Sequence, residues 1–183
     1  MDKKALRKHL RGVLAELKPA EKLEITSRIN LNISNLLKDL KSQNFIENGC
    51  WLGCYSPLPD EFDWHDNDEI SHFKIALPHL LNETQMCFVP SELNQIKSGF
   101  MGLELAHYAG KRIEPDILFV PGLGFSSQLE RIGRGKGYYD RFLQKCPNAI
   151  KVGICSERQL VDSIPTDKYD IKMNYVITDQ KIY

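Results

Sequence analysis

Apolar residues recur at helical spacing through the first part of the chain. Between residues 2 and 17 they fall every three or four positions with cations on the other face, which predicts an amphipathic helix. Pro19 suits the first turn of a second helix. The predicted buried stripe of that helix comprises Leu23, Ile25, Ile29, Ile33, Leu36, Leu37 and Leu40.

Short apolar runs alternate with polar segments over the rest of the chain. They predict strands at 50–55, 86–89, 103–108, 116–120, 150–154 and 175–178. Residues 67–77 are predicted to form a helix that Pro78 ends or kinks, and a further helix follows Gly137 to about Lys145. This alternation predicts an α/β fold of three α/β/α layers, with a mostly parallel, Rossmann-like sheet covered by helices on both faces.

Length and composition restrict the class of protein further. The 183 residues contain no repeat or linker, so we expect a single domain over 1–183. Lys plus Arg (24) equals Asp plus Glu (24), which argues against nucleic acid or a membrane as a partner. Five cysteines without a regular framework, and the lack of a secretion signal or a long apolar run, predict a cytoplasmic protein. We expect a monomer that acts on small molecules.

The strongest chemical signal lies at residues 131–141, which read Arg-Ile-Gly-Arg-Gly-Lys-Gly-Tyr-Tyr-Asp-Arg. Alternate glycines let the backbone N–H groups approach an anion, and the cations add positive charge. The spacing fits neither the P-loop nor the dinucleotide-binding fingerprint. On composition alone the segment could be a flexible basic surface loop. The adjacent pair Tyr138 and Tyr139 instead favours a site that also covers a flat ring.

Two loops follow predicted strands at the same edge of the sheet. Residues 55–61 leave the strand at 50–55, and residues 121–137 leave the strand at 116–120. Ligands of open α/β sheets bind at the carboxyl ends of the strands. The sequence therefore predicts that these loops face one another across a cleft.

The residues of these loops closely resemble the 5-formyltetrahydrofolate cyclo-ligase family. The resemblance is carried by Pro121-Gly-Leu-Gly-Phe125 and by residues 131–141, which together are highly specific. Supporting segments are Lys3-Lys4-Ala-Leu-Arg7, Tyr55-Ser-Pro-Leu-Pro-Asp-Glu61, and 165–170 with 176–178. The resemblance runs nearly from end to end of the chain.

The resemblance implies a role for each of the residues in these segments. ATP would be bound by Lys3, Lys4, Arg7, Arg131, Ile132, Gly133, Arg134, Gly135, Lys136, Gly137 and Tyr138. The folate would contact Ser56, Glu61, Arg134, Gly135, Lys136, Gly137 and Tyr138. Mg²⁺ would be held by Asp140 and Asp170, and the catalytic residues would be Arg134, Lys136 and Tyr139. A loop glutamate also suits the N–H groups of a pterin edge.

The implied reaction is the ATP- and Mg-dependent cyclisation of 5-formyltetrahydrofolate to 5,10-methenyltetrahydrofolate, through a phosphorylated formyl group. The chain departs from the family pattern at Pro90-Ser91, and Phe100-Met-Gly-Leu-Glu104 and Glu114-Pro115 match it only in part. Two alternatives therefore stay open. One is an ATP-dependent enzyme of the same scaffold acting on another small metabolite, and the other is a non-catalytic nucleotide- or RNA-binding module.

Overall fold

A computed structural model describes residues 1–91 and 110–183. The helices are α1 (Lys3–Ala15), α2 (Pro19–Ser42) and α3 (Tyr138–Leu143), with 3-10 turns at Asp68–His72 and Glu157–Gln159. The strands are β1 (Trp51–Gly53), β2 (Lys74–Leu80), β3 (Met86–Ser91), β4 (Ile117–Pro121), β5 (Gly124–Ser126), β6 (Arg131–Ile132), β7 (Ile150–Ile154), β8 (Leu160–Val161) and β9 (Tyr175–Ile177). The strand predicted at 103–108 lies outside the described residues.

Six of these strands form the central sheet. Their order is β3-β2-β1-β4-β7-β9, and every neighbouring pair is parallel except β2 with β3. From β1 the chain continues through β2 and β3 to one edge of the sheet, and from β4 it continues through β7 and β9 to the other edge. The carboxyl ends of β1 and β4 therefore mark the switch point at which such sheets bind ligands. The predicted α/β fold with a mostly parallel sheet is confirmed.

The long helix α2 covers one face of this sheet. Its buried residues Ile29, Ile33 and Leu37 pack in one cluster with Leu52 and Phe119 of the strands. The prediction that Leu23 belongs to this stripe is wrong, because its side chain is 72% exposed. Leu23 lies two positions before Ile25, about 200° around the helix, and so projects away from the sheet.

A small second sheet and two helices cover the opposite face. Strands β6, β5 and β8 form this sheet, and α1 packs on it through Leu6, Leu10 and Leu14. Phe125 of β5 is fully buried against the central sheet. A Cβ built on Gly122 would lie 2.8 Å from its ring, and one built on Gly153 would overlap the ring. The missing side chains of these glycines let the two sheets approach each other.

The helix predicted at 67–77 is wrong. Only Asp68–His72 forms a 3-10 turn, and Lys74–Leu80 is strand β2, paired on both sides. Pro78 pairs with Phe88 of β3 and lies beyond the last residue with which β1 pairs, Ala76. Its missing N–H group therefore costs no hydrogen bond to β1, and the strand continues through the proline.

No helix in the described ranges is both long enough and apolar enough to cross a bilayer.

Candidate active site

A large cavity of about 1270 Å³ opens at the carboxyl ends of β1, β2 and β4. Its wall brings together the loop after β1, the loop after β4, the start of α1 and the segment that precedes β9. The two loops that were predicted to face one another therefore do so. Most of the sequence-predicted site residues border this one space: Lys3, Arg7, Ser56, Glu61, Arg131, Ile132, Gly133, Arg134, Gly135, Lys136, Gly137, Tyr138, Tyr139, Asp140 and Asp170. Lys4 does not, because it projects into solvent from the exposed side of α1.

Arg131 fixes the base of the glycine-rich loop. Its side chain is only 5% exposed, and it forms an ion pair with Asp140. It also donates to the carbonyl oxygen of Pro121 at 3.0 Å, and its guanidinium lies 5.6 Å from the ring centre of Tyr139. These contacts join the end of β4, strand β6 and helix α3. The charge of Arg131 is thus largely used within the protein.

Two other arginines bind carbonyl groups of the same loop. Arg7 of α1 donates to the carbonyl oxygen of Gly133 at 2.9 Å. Arg141 donates to Lys136 at 2.9 Å and to Thr84, in the turn between β2 and β3, at 2.6 Å. In a trans peptide the carbonyl and the next N–H point in opposite directions. Holding the carbonyl groups therefore orients the following N–H groups.

Positive backbone φ angles complete the shape of the loop. Gly135 has φ +100° and Gly137 has φ +70°, values in the left-handed region that glycine adopts at least cost. Gly137 immediately precedes α3, so the chain turns sharply from the loop into the helix. Side chains at either position would strain the turn.

Arg134 connects the glycine-rich loop to the loop after β1. Its guanidinium donates to Glu61 Oε1 at 3.1 Å and to Asp60 Oδ1 at 2.5 Å. The other oxygen of Glu61 accepts from the N–H of Leu58 at 3.0 Å. Burial raises the pKa of Glu61 despite the Leu58 N–H and Arg134. Burial also acts to lower the pKa of Arg134, but its bonds to Asp60 and Glu61 outweigh this and raise it.

Lys3 connects the start of the chain to the segment before β9. Its ammonium contacts Asp170 at 2.6 Å and Asp167 at 2.9 Å. Burial acts to lower the pKa of Lys3, but the hydrogen bonds to these carboxylates outweigh it and raise the pKa. Asp170 also accepts from the N–H of Asp167 at 2.7 Å. These carboxylates therefore hold Lys3 at the wall of the cavity before any phosphate binds.

Tyr139 presents an unused donor. Its hydroxyl oxygen is buried and has no hydrogen-bond partner among the described residues. Burial, followed by the nearby Glu61 carboxylate, raises the pKa of Tyr139, so the phenol keeps its proton at neutral pH. Such a group can donate to an acceptor on a ligand but does not act as a base. Lys136, by contrast, is exposed at the rim of the cavity.

The apolar part of the wall was missed by the sequence reasoning. Leu58, Leu77, Leu80 and Met86 border the cavity opposite the cationic loop. Three of them, Leu77, Leu80 and Met86, lie on β2 and β3. Because 67–77 was predicted to be a helix, the sequence analysis did not place Leu77 at the same edge of the sheet as the other two. The sequence analysis gave Asp167 no role and counted Arg141 only among the cations of the glycine-rich motif. The signal that could have identified Asp167 is its proximity in sequence to Asp170.

The two predicted metal ligands lie on the same cavity but already have partners. Asp140 pairs with Arg131, and Asp170 pairs with Lys3. Within 1–91 and 110–183 no group of three or more His, Cys, Asp or Glu side chains is arranged to hold a metal ion. Mg²⁺ commonly uses one or two carboxylates together with water and the phosphates of a nucleotide. Asp140 and Asp170 fit that type of site, in which the ion arrives with the nucleotide.

Comparison with known proteins gives one consistent family. The model of the 5-formyltetrahydrofolate cyclo-ligase family matches residues 68–179. The 5-formyltetrahydrofolate cyclo-ligase of Mycoplasma genitalium is 29% identical over 182 residues, covering 97% of this chain and 98% of that protein. The one of Mycoplasma pneumoniae is 26% identical and covers 98% and 100%. The 5,10-methenyltetrahydrofolate synthetase of Aquifex aeolicus has the same fold, with a TM-score of 0.75 at 24% identity over 100% of this chain and 92% of that one.

Proposed function

The chain belongs to the 5-formyltetrahydrofolate cyclo-ligase family, and on that premise we propose that it converts 5-formyltetrahydrofolate and ATP into 5,10-methenyltetrahydrofolate, ADP and phosphate. The observation that carries the proposal is one cavity in which a glycine-rich cationic loop faces Glu61 and an apolar wall. Its volume of about 1270 Å³ exceeds the roughly 300–1,000 Å³ of a pocket for one small ligand. Both substrates can therefore be bound side by side.

The chemical difficulty of the reaction is the formyl oxygen, which is a poor leaving group. Transfer of the γ-phosphoryl group to that oxygen releases ADP and makes the oxygen part of a phosphate. The folate N10 then attacks the formyl carbon and gives up its proton, the five-membered ring closes, and the carbon–oxygen bond breaks to release phosphate. The protein has to align two ligands and balance negative charge, and a covalent nucleophile is not required.

The nucleotide half of the site is the glycine-rich loop with its neighbours. Lys136 contributes positive charge at the cavity, Lys3 adds a donor whose charge is offset by Asp167 and Asp170, and the carbonyl groups held by Arg7 and Arg141 orient the loop N–H groups. Arg134 borders both halves. Its ion pairs with Asp60 and Glu61 hold the guanidinium in place. A guanidinium fixed in this way can orient a phosphorylated intermediate through its remaining N–H groups.

We assign the folate half to Glu61, the apolar wall and Tyr139. The Glu61 side chain is 9% exposed and is fixed by Arg134 and by the Leu58 N–H. An oriented carboxylate suits the N–H donors of the aminopyrimidinone edge. Leu77, Leu80 and Met86 offer apolar surface for an aromatic ring, and Tyr139 offers an O–H donor that no other described residue uses.

We also propose that Asp140 and Asp170 take part in holding Mg²⁺ together with the nucleotide phosphates. When bound, the ion would neutralise charge on the transferred phosphoryl group. Lys3, which pairs with Asp170, borders the same cavity and can serve as a phosphate contact.

The direct test mixes the purified protein with 5-formyltetrahydrofolate and Mg-ATP. Methenyl absorbance should rise in step with ADP release, and a chelator should stop both. No absorbance change at high enzyme concentration would overturn the proposal. ADP release that another metabolite stimulates, without methenyl product, would favour the alternative substrate. Salt-dependent RNA binding without turnover would favour the binding module.

A first substitution tests the nucleotide loop. Lys136→Ala should lower kcat/KM for ATP about tenfold, since it removes one charged phosphate contact. The free energy of unfolding should change by no more than ~0.5 kcal/mol, because the side chain is exposed. Steady-state kinetics and urea denaturation measure the two quantities. Lys8→Ala, an exposed lysine on α1, is the control, and equal kinetics for both variants would contradict the assignment.

A second substitution tests the unused phenol. Tyr139→Phe should lower turnover about tenfold, because the lost O–H group has no hydrogen-bond partner within residues 1–91 and 110–183 and is available to a ligand. The melting temperature should stay the same or rise slightly. Single-turnover absorbance kinetics and thermal denaturation check both statements. Unchanged turnover would show that the hydroxyl does not reach a substrate.

The oligomeric state and the partners remain predictions. We propose a monomer that binds small molecules and neither nucleic acid nor a membrane. Sedimentation equilibrium at micromolar protein would detect a dimer.

A further inference from the structure

The middle of the loop after β1 lies between two cavities. The ends of the loop are fixed, because the Tyr55 hydroxyl donates to the carbonyl of Phe62 at 2.6 Å and both residues are buried. Leu58 and Glu61 border the large cavity, and they also border a second one of about 350 Å³ on the side of α2. Pro19, Leu23 and Thr26 line that second cavity. Pro57 is buried, but Pro59 is exposed and its neighbours Leu58 and Asp60 are only partly buried, so packing holds this part of the loop less firmly than its ends.

Lys22 of α2 bridges this gap. Its ammonium donates to the carbonyl oxygen of Pro59 at 2.5 Å and lies 5.9 Å from the ring centre of Phe62. Burial lowers the pKa of Lys22 although three carboxylates, Asp60, Asp63 and Glu61, stand nearby. Lys22 borders the second cavity and is not part of the wall of the large one. Among the described residues, the hydrogen bond of Lys22 to Pro59 links it to the loop that borders the large cavity.

The bond to Pro59 controls the direction of the residues that follow. The pyrrolidine ring fixes φ of Pro59, and the peptide after it is planar. Only ψ of Pro59 is then free, and holding its carbonyl oxygen fixes ψ. The direction in which Asp60 and Glu61 leave is thereby set, and these two residues are the ones that hold Arg134.

We propose that Lys22 is a positioning residue for the loop after β1, which borders the proposed folate site. It ties Pro59 to α2 and so keeps Glu61 where it meets both Arg134 and the substrate. The effect on substrate rests on the proposed function, whereas the effect on the loop does not.

The test compares Lys22→Met and Lys22→Arg with Lys18→Met. Lys18 is an exposed lysine at the start of the same helix and is the matched control. In the ligand-free protein, hydrogen exchange of the peptide covering 56–62 should be about tenfold faster in Lys22→Met, because the Leu58 and Glu61 amides lose their fixed partners. Lys22→Arg, which can still reach the carbonyl, and Lys18→Met should exchange like the wild type.

The kinetic arm separates positioning from a general structural role. Lys22→Met should raise KM for 5-formyltetrahydrofolate about five- to tenfold and leave KM for ATP within about twofold, since a less preorganised loop binds its ligand more weakly. Lys22→Arg should restore the wild-type KM. Unchanged exchange in Lys22→Met, or a parallel loss for both substrates with a lower melting temperature, would overturn the inference. If the wild type made no methenyl product, the proposed function would fail, and the exchange arm would still decide the role of Lys22.

Discussion

Glu61→Gln is expected to lower kcat/KM for 5-formyltetrahydrofolate about a hundredfold, a loss of about 2.7 kcal/mol of transition-state binding. The amide keeps the shape of the side chain, but it loses the negative charge and replaces one acceptor oxygen with a donor NH₂ group. Hydrogen bonds to charged groups contribute about 1.5–3 kcal/mol, so the loss of an oriented carboxylate should dominate the kinetics. Steady-state kinetics with varied folate measure the change.

The same substitution should not destabilise the protein at neutral pH. Because burial raises the folded pKa of Glu61 above its ordinary value of 4.5, the native state binds the proton more tightly than the unfolded chain. The stability that this contributes is present below pH 4.5 and is lost as pH rises through the folded pKa. Above the folded pKa, the wild-type protein buries a charged carboxylate, which lowers its stability, whereas glutamine at this position carries no charge.

Urea denaturation at several pH values tests this statement. Relative to the wild type, Glu61→Gln should become more stable as pH rises from 4.5 to neutrality. Glu47→Gln, at an exposed position, should show no such trend. A variant that loses both activity and neutral-pH stability would assign Glu61 a structural role. Unchanged kcat/KM would remove it from the folate site.

Gly153→Ala is expected to lower the free energy of unfolding by about 3 kcal/mol, the upper part of the usual range for overpacking a core. A Cβ at this position overlaps the ring of Phe125, which is fully buried between the two sheets. The central strand β7 cannot move away without disturbing its pairing to β4 and β9. Urea denaturation followed by fluorescence measures the change.

A double-mutant cycle identifies the cause of that loss. Phe125→Leu removes ring atoms from the collision, so Gly153→Ala combined with Phe125→Leu should cost less than the sum of the two single changes. Gly12→Ala is the control, because a Cβ on this exposed residue of α1 meets nothing within 4 Å. Alanine there should stabilise the protein by about 0.5–1 kcal/mol. Strict additivity in the cycle would mean that Phe125 does not cause the loss.

The sequence predicted those parts of the fold in which local signals agree with tertiary packing. Helix α2 begins at Pro19 and buries nearly the whole predicted stripe, and the strong apolar runs became β4 and β7. The loops at their ends were placed at the correct edge of the sheet. Periodicity and the positions of proline and glycine suffice for elements of this kind.

The errors arose where pairing partners far along the chain override local preference. Residues 74–77 contain nothing that excludes a helix, and they become part of a strand because β1 and β3 supply hydrogen bonds on both sides. Strands β6 and β8 have only two residues each, too few to show a period. Leu23 is a different case, because its position two residues before Ile25 puts it on the other side of the helix and strict helical spacing would have excluded it from the stripe.

For the candidate site, the residue types indicated the chemistry, but they did not indicate which side chains pair with one another. The glycines and cations of 131–137 indicated an anion site, and the structure puts them on a cavity. The sequence does not reveal that Arg131 is buried against Asp140, or that Arg7 and Arg141 bind carbonyl groups. Such pairings depend on distances across the fold, which residue identity alone does not fix.

The contact between Lys3 and Asp170 has a consequence for biosynthesis. The two residues are separated by 167 positions, yet they border the same cavity. A nascent chain can form α1, α2 and the first strands while still on the ribosome, but it cannot complete the wall of this cavity until the segment around Asp170 has emerged. The proposed active site is therefore among the last parts of the molecule to mature, and contacts of such long range also slow refolding in vitro.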